Sequence, residues 1–147
     1  MKEISLQIFN KELVSEIEPT FSISFEDIQK AYERIFSEYP LEEINIVFVE
    51  PEYIQDLNKR YREIDAPTDV LSFNIEDGRK GEIYISPEYV YKSFQEDAFE
   101  EEILRLIIHG TLHILGQDHT ESMNDSPNEK MFLQQEELLV RFKKICC

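Results

Sequence analysis

The chain has 147 residues, of which 41% are hydrophobic and 31% are charged, and its formal net charge at pH 7 is −16. This length and composition predict a single domain over residues 1–147, and no apolar run approaches the ~20 residues that cross a bilayer. The acidic charge disfavours a protein that binds nucleic acid through a broad basic surface, because such proteins carry clustered Lys and Arg.

The amino-terminal third predicts a strand followed by a capped helix. Residues 1–9 alternate apolar and polar side chains, which is typical of a strand and unlike the continuous apolar region of a signal peptide. We therefore expect a cytoplasmic protein. Ser24 with Asp27 predicts the amino-terminal cap of a helix that ends near Ser37.

The middle of the chain predicts a buried strand, a short helix and then a hairpin. The pattern gives, in order, a strand at 44–49, a helix from Pro51 to about Arg60, and a hairpin with strands at 70–73 and 83–85 joined through a turn at 78–81.

The carboxyl-terminal half predicts two longer helices. Asp97 with Glu100 predicts the start of one that is apolar on nearly every side, so it should run through the core. Ser126 with Pro127 predicts the start of a last helix to about Lys143. The expected fold is α+β (or α/β), a small mixed four-stranded sheet packed with about five helices. Two adjacent terminal cysteines are expected to be reduced tail residues.

All three histidines of the chain fall within eleven residues, at His109, His113 and His119. On a helix His109 and His113 lie one turn apart on the same face, so both imidazoles can reach one ion. Gly116 allows the helix to end and the chain to fold back, which brings His119 in as a third ligand. Three imidazoles with one open coordination position predict a catalytic Zn²⁺ site, in which nickel can substitute during purification.

Asp118 precedes the third histidine in the chain. A carboxylate there can hydrogen-bond the second ring nitrogen of a histidine ligand and fix its tautomer, or it can cap a loop. The sequence favours neither role.

Gly110 follows the first histidine, at a position that matters for the chemistry. The spacing H-x3-H-x5-H is that of the metzincin proteases, in which a glutamate at this position acts as general base. Because glycine cannot accept a proton, a zinc metalloprotease becomes a less favoured alternative. A phosphodiester substrate is favoured, since its cleavage depends largely on neutralising charge on phosphate oxygens, which a metal and a guanidinium can do together.

Three motifs in the central half of the chain carry a family resemblance. They are the stretch from Leu57 to Phe73, which contains Tyr61-Arg62 and ends in Pro-Thr-Asp-Val-Leu-Ser-Phe, then Gly81-Glu82-Ile83, and then the histidine run. Together they resemble the YbeY family of bacterial metal-dependent endoribonucleases of ribosomal RNA maturation. Three positions depart from the family pattern: Asn74 replaces a common proline, Glu82 an aspartate and Gln117 a tyrosine.

The resemblance implies that His109, His113 and His119 hold Zn²⁺ and that Arg62 is needed for activity. It also implies a single-stranded RNA substrate, including the 3′ end of small-subunit ribosomal RNA, and a role in ribosome quality control. The expected partners are RNA, the ribosome and ribosomal proteins, with no membrane and no DNA. Zinc would polarise a phosphate oxygen or supply a hydroxide, while Arg62 stabilises charge on the phosphoryl group.

Two questions stay open from the sequence. The general base is unassigned, because either a metal-bound hydroxide or the 2′-hydroxyl of the RNA can attack. A non-catalytic ribosome-assembly factor with a structural zinc is the alternative class, and it explains the acidic charge better. For an enzyme, the same charge predicts weak binding of free RNA and the need for a basic partner.

Overall fold

The structure is a computed structural model that describes residues 3–93, 96–116 and 129–147. Within these ranges the chain forms four strands and six helices. In chain order they are β1 (Ser5–Phe9), α1 (Glu12–Ile17), α2 (Phe25–Phe36), β2 (Glu43–Phe48), α3 (Pro51–Arg62), β3 (Val70–Glu76), β4 (Lys80–Ile85), α4 (Pro87–Ser93), α5 (Glu96–Ile114) and α6 (Glu129–Cys146). The predicted α+β class is confirmed.

The four strands form one mixed sheet in the order β1-β2-β4-β3. β1, β2 and β4 run parallel, and β3 runs antiparallel to β4. The hairpin explains this one antiparallel pair, because a short turn reverses the chain, whereas parallel neighbours need a longer crossover through helices. β3 is therefore an edge strand, and both β3 and β4 contact the long helix α5.

The two faces of the sheet carry different helices. On one face Ile44, Ile46 and Ile83 join the main core with residues of α2, α5 and α6. On the other face Leu71 packs with Ile54 and Leu57 of α3 in a smaller cluster. Because neighbouring residues of a strand point to opposite faces, β3 and β4 separate α3 from α5.

Helix α5 is buried along its length, as predicted from its apolar sides. Residues with no or almost no exposed surface lie on several faces of it, at Phe99, Ile103, Leu104, Ile107, Ile108, Leu112 and Ile114. Such a helix is a rigid support for side chains near its end, since it contacts both the sheet and α6.

Several boundaries differ from the predicted ones. α5 begins at Glu96, so Asp97 lies inside the helix and is not its cap. The hairpin turn lies at residues 77–79, because Asp77 and Gly78 take positive φ angles, and β4 already begins at Lys80. Helix α1 was not predicted. None of the helices in the described ranges is long and apolar enough to cross a bilayer.

The two cysteines are free, as expected, but they do not form a frayed tail. Helix α6 extends to Cys146, which packs against the main core. Burial raises the pKa of the Cys146 thiol to about 12. The predicted cap at Ser126 and Pro127 lies outside the described residues.

Candidate metal centre

His109 and His113 face each other in the last two turns of α5. Their Nε2 atoms are 2.9 Å apart and their ring centroids 4.4 Å apart, and both side chains are half-buried. Two nitrogen ligands of one tetrahedral zinc ion lie about 3.3 Å apart when each bond is about 2.0–2.1 Å. The two ring nitrogens thus converge closely enough to share a metal ion with a small adjustment.

The carboxyl-terminal end of α5 provides a negative electrostatic potential that favours a cation. The helix ends at Ile114, where Gly116 takes a left-handed conformation with φ of 81° and donates its N–H to the carbonyl of His113. This is the predicted glycine stop. The carbonyls of the last helical turn carry partial negative charge, which favours a cation beside His113.

The second ring nitrogen of His109 is held by helix α6. His109 Nδ1 lies 2.7 Å from Oε1 of Gln135, a buried residue of that helix. Gln135 Nε2 in turn donates to Oε2 of Glu136 at 3.1 Å. The histidine is therefore bonded on the side that faces away from His113.

Arg105 anchors this hydrogen-bond chain one turn before His109. Its guanidinium donates to both carboxylate oxygens of Glu136, at 2.9 and 3.0 Å, and to Glu102 at 2.6 Å. The hydrogen bonds to Glu136 and Glu102 raise the pKa of Arg105, and the bond from Arg105 lowers the pKa of Glu136. Glu102 is buried and paired with Arg105, although it lies in the acidic run at residues 100–102 of the sequence.

All four glycines of the chain lie where the hairpin meets α5: Gly78, Gly81, Gly110 and Gly116. A Cβ on Gly81 would lie 2.5 Å from the side chain of Ile114, and a Cβ on Gly110 would lie 2.8 Å from that of Ile83. The strand and the helix therefore approach more closely than two residues with side chains would allow. This contact fixes the histidine-bearing turns against β4.

The predicted third ligand His119 lies outside the described residues, and so do Asp118 and Gln117. A group of three metal-binding side chains is not found within the described ranges. What the structure brings together is the pair His109 and His113, with Gln135 behind the first.

Arg62 lies at the end of α3 and is exposed. Its neighbours are paired, Lys59 with Asp65 at 3.9 Å and Arg60 with Asp56. Arg62 itself makes no ion pair or hydrogen bond with any residue of the described ranges, and so none with the two histidines. The edge strand β3 lies between α3 and α5 and contacts both helices.

Comparison with known proteins decides the family. The family model described as Endoribonuclease YbeY matches residues 4–143. The chain belongs to the YbeY family. Relatives named Endoribonuclease YbeY include one from Treponema denticola, 40% identical over 70% of this chain and 72% of the relative, and one from Aliarcobacter butzleri, 39% identical over 83% and 89%.

A solved structure shares the fold. The solution structure of TM1509 from Thermotoga maritima matches with a TM-score of 0.66 at 29% identity, covering 95% of this chain and 89% of that one. The resemblance to the YbeY family in the three sequence motifs is thus confirmed.

Two departures from the family pattern have local hydrogen bonds in this structure. Asn74 Oδ1 accepts the N–H of Gly78 at 2.9 Å and so closes the hairpin turn. Glu82 accepts the Tyr84 hydroxyl at 3.1 Å on the α3 face of the sheet, where burial, with help from this carboxylate, raises the pKa of Tyr84 to about 12. Neither of these two hydrogen bonds involves the histidine pair.

Gln135 is the site residue that the sequence reasoning missed. Its signal is a polar side chain inside the apolar stripe of the last helix, with Met131, Leu138, Leu139 and Phe142. A buried polar residue in such a stripe needs a hydrogen-bond partner on the facing element. Here that partner is a histidine.

Proposed function

We propose that the protein is a metal-dependent endoribonuclease that cleaves single-stranded RNA. The supporting observation is the convergence of two histidine nitrogens, 2.9 Å apart, at the end of a buried helix in a chain of the YbeY family. The relatives are named endoribonucleases, and phosphodiester cleavage requires neutralisation of charge on phosphate oxygens. We further propose maturation of the 3′ end of small-subunit ribosomal RNA and ribosome quality control as the biological task.

His109 and His113, with His119 from outside the described residues, would hold Zn²⁺. A bound zinc ion would supply Lewis acidity toward a phosphate oxygen. The chain's own residues fit such an ion, because the two imidazoles converge and the helix carbonyls nearby favour positive charge. Gly110 leaves this turn without a carboxylate base, which favours a phosphodiester over a peptide substrate.

Arg62 would provide a positive charge for the RNA backbone. Its guanidinium has no carboxylate partner among the described residues, whereas Lys59 and Arg60 are both paired. A guanidinium without an ion pair can make two parallel hydrogen bonds to one phosphate. An RNA strand that crosses the edge strand β3 could contact both Arg62 and the histidine turns.

The test is cleavage of a labelled single-stranded RNA beside a duplex of the same sequence. We expect cleavage of the single strand only, loss of cleavage with a chelator, and recovery when zinc is restored. His113→Ala should be inactive because it removes one of the two converging nitrogens. A protein that binds zinc tightly but never cleaves RNA would instead favour a ribosome-assembly factor with a structural metal.

Analysis of the product ends identifies the attacking group. A 2′,3′-cyclic phosphate would show attack by the RNA's own 2′-hydroxyl, and a 3′-hydroxyl beside a 5′-phosphate would show attack by water. Cleavage of a peptide panel that vanishes with chelator would revive the protease alternative.

A further inference from the structure

Gln135 is a buried polar residue with both ends of its amide in use. It is 6% exposed and lies among the apolar residues that dock α6 onto the core. Its oxygen contacts Nδ1 of His109 at 2.7 Å, and its nitrogen contacts Oε2 of Glu136 at 3.1 Å. Burying an amide is costly unless it is hydrogen-bonded, so the pairing at both ends is a strong local constraint.

Glu136 sets the orientation of the Gln135 amide. An ionised carboxylate can only accept hydrogen bonds, so the amide NH₂ must point toward Glu136 and the amide oxygen toward His109. Glu136 stays ionised because Arg105 donates to both of its oxygens and lowers its pKa. The series of hydrogen bonds from Arg105 through Glu136 to Gln135 therefore has a single direction of donation.

The direction of these hydrogen bonds determines the tautomer of His109. The Gln135 oxygen can only accept, so the proton of the neutral imidazole must be on Nδ1. The lone pair is then on Nε2, the atom that lies 2.9 Å from Nε2 of His113. A metal ligand needs its lone pair at that atom, because the other ring nitrogen is occupied.

We propose that Gln135 is a positioning residue for His109: it holds the ring in the tautomer and orientation that present Nε2 to a divalent transition metal. The inference rests on the metal centre of the proposed function. It also couples the docking of α6 to metal binding, since α6 helps to order the metal-binding turn of α5. Helix α6 thereby becomes part of the metal centre.

Two substitutions at this position separate positioning from packing. Gln135→Met keeps the length of the side chain and fills its space, but it removes the acceptor. Gln135→Glu keeps an acceptor oxygen but adds a negative charge beside Glu136. If Gln135 only packs, Gln135→Met should be the milder change. If Gln135 positions His109, Gln135→Glu should lower the zinc affinity less than Gln135→Met does, even if Gln135→Glu is the less stable protein.

Gln134→Met is the matched control. Gln134 precedes Gln135 on the same helix, is half-buried, and donates to the Tyr39 hydroxyl at 3.2 Å rather than to a histidine. Its substitution removes a glutamine amide of the same helix without touching His109. Thermal unfolding of all the variants would show that each is folded.

The first readout is the tautomer, from ¹⁵N chemical shifts of the ring nitrogens in the metal-free full chain. With three histidines in the chain, assignment by single His→Ala variants is direct. We expect Nδ1–H for His109 in wild type, Gln135→Glu and Gln134→Met. In Gln135→Met we expect a mixture with the Nε2–H form.

The second readout is zinc affinity, from competition with a chromophoric chelator. Loss of an outer hydrogen-bond partner of a ligand lowers metal affinity about 10–100-fold, which we expect for Gln135→Met. Gln135→Glu and Gln134→Met should bind zinc with an affinity close to that of wild type. Unchanged tautomer and affinity in Gln135→Met would overturn the inference, as would equal losses in Gln135→Met and Gln135→Glu.

RNA cleavage is measured separately on the same proteins. A wild type that binds zinc without cleaving RNA contradicts the proposed function, while the affinity comparison still decides the role of Gln135. A wild type that binds zinc no better than His109→Ala overturns both the metal centre and this inference.

Discussion

A Cβ atom on Gly110 would lie 2.8 Å from Cγ2 and 3.1 Å from Cγ1 of Ile83. Both atoms belong to the branched, stiff part of a side chain that is fully buried in β4. Helix α5 and β4 must therefore separate if any other residue replaces Gly110. The absence of a glutamate after the first histidine thus has a packing cause as well as a chemical consequence.

Gly110→Ala should destabilise the protein although alanine is the better helix former. Overpacking costs about 1–3 kcal/mol, against a gain in helix propensity of about 1 kcal/mol. We expect a net loss of up to about 2 kcal/mol in the free energy of unfolding, measured with urea. A larger loss is expected for Gly110→Glu, which would restore the protease pattern without restoring its function.

A double-mutant cycle with Ile83→Ala checks the cause. The two substitutions together should cost less than the sum of the single ones, because Ile83→Ala opens the space that the new Cβ needs. Additive losses would mean that the contact between Gly110 and Ile83 is not the origin of the effect.

Arg62→Ala should strongly reduce cleavage and leave the metal and the fold in place. Removal of one group that stabilises transition-state charge typically lowers the rate about 10²–10³-fold. The measurement is cleavage of single-stranded RNA together with zinc content and thermal unfolding.

Arg60→Ala is the control for this substitution, because Arg60 lies on the same helix but is paired with Asp56. We expect its cleavage rate to stay near that of wild type. Equal cleavage by Arg62→Ala and wild type would exclude Arg62 from the reaction and favour the assembly-factor alternative.

The sequence predicted the elements around the centre better than the contacts between them. The helix with His109 and His113 and its stop at Gly116 follow from local rules, periodicity and glycine conformation. The bond from Gln135 to His109 joins residues 26 positions apart and depends on how α6 docks. The burial of Glu102 likewise depends on the fold, because the acidic run at residues 100–102 does not show which of its side chains is covered.

Glu136 should stabilise the fold in a pH-dependent way. Its pKa is lowered in the folded protein by the hydrogen bond from Arg105, so its contribution is complete above the unfolded value of about 4.3 and is lost as the pH falls through the folded pKa. Glu136→Gln should cost about 1–2 kcal/mol at pH 7, and the gap to wild type should close in acid.

Urea unfolding of wild type and Glu136→Gln between pH 7 and pH 3 measures this gap. Glu137→Gln controls for the loss of one negative charge at the next, exposed position. A gap that stays constant down to pH 3 would show that the ion pair with Arg105 contributes nothing to stability.

Free single-stranded RNA should bind weakly and with little dependence on salt. The net charge is −16, and of the basic residues at the end of α3 both Lys59 and Arg60 are already paired with carboxylates. Each phosphate neutralised on a single strand contributes about −0.7 to the slope of log K against log salt, so a slope of about −1 to −2 is expected. Fluorescence anisotropy of a labelled RNA in low and moderate salt measures it. A slope many times steeper, with tight binding, would contradict the idea that the ribosome or another basic partner strengthens the binding of RNA to so acidic a protein.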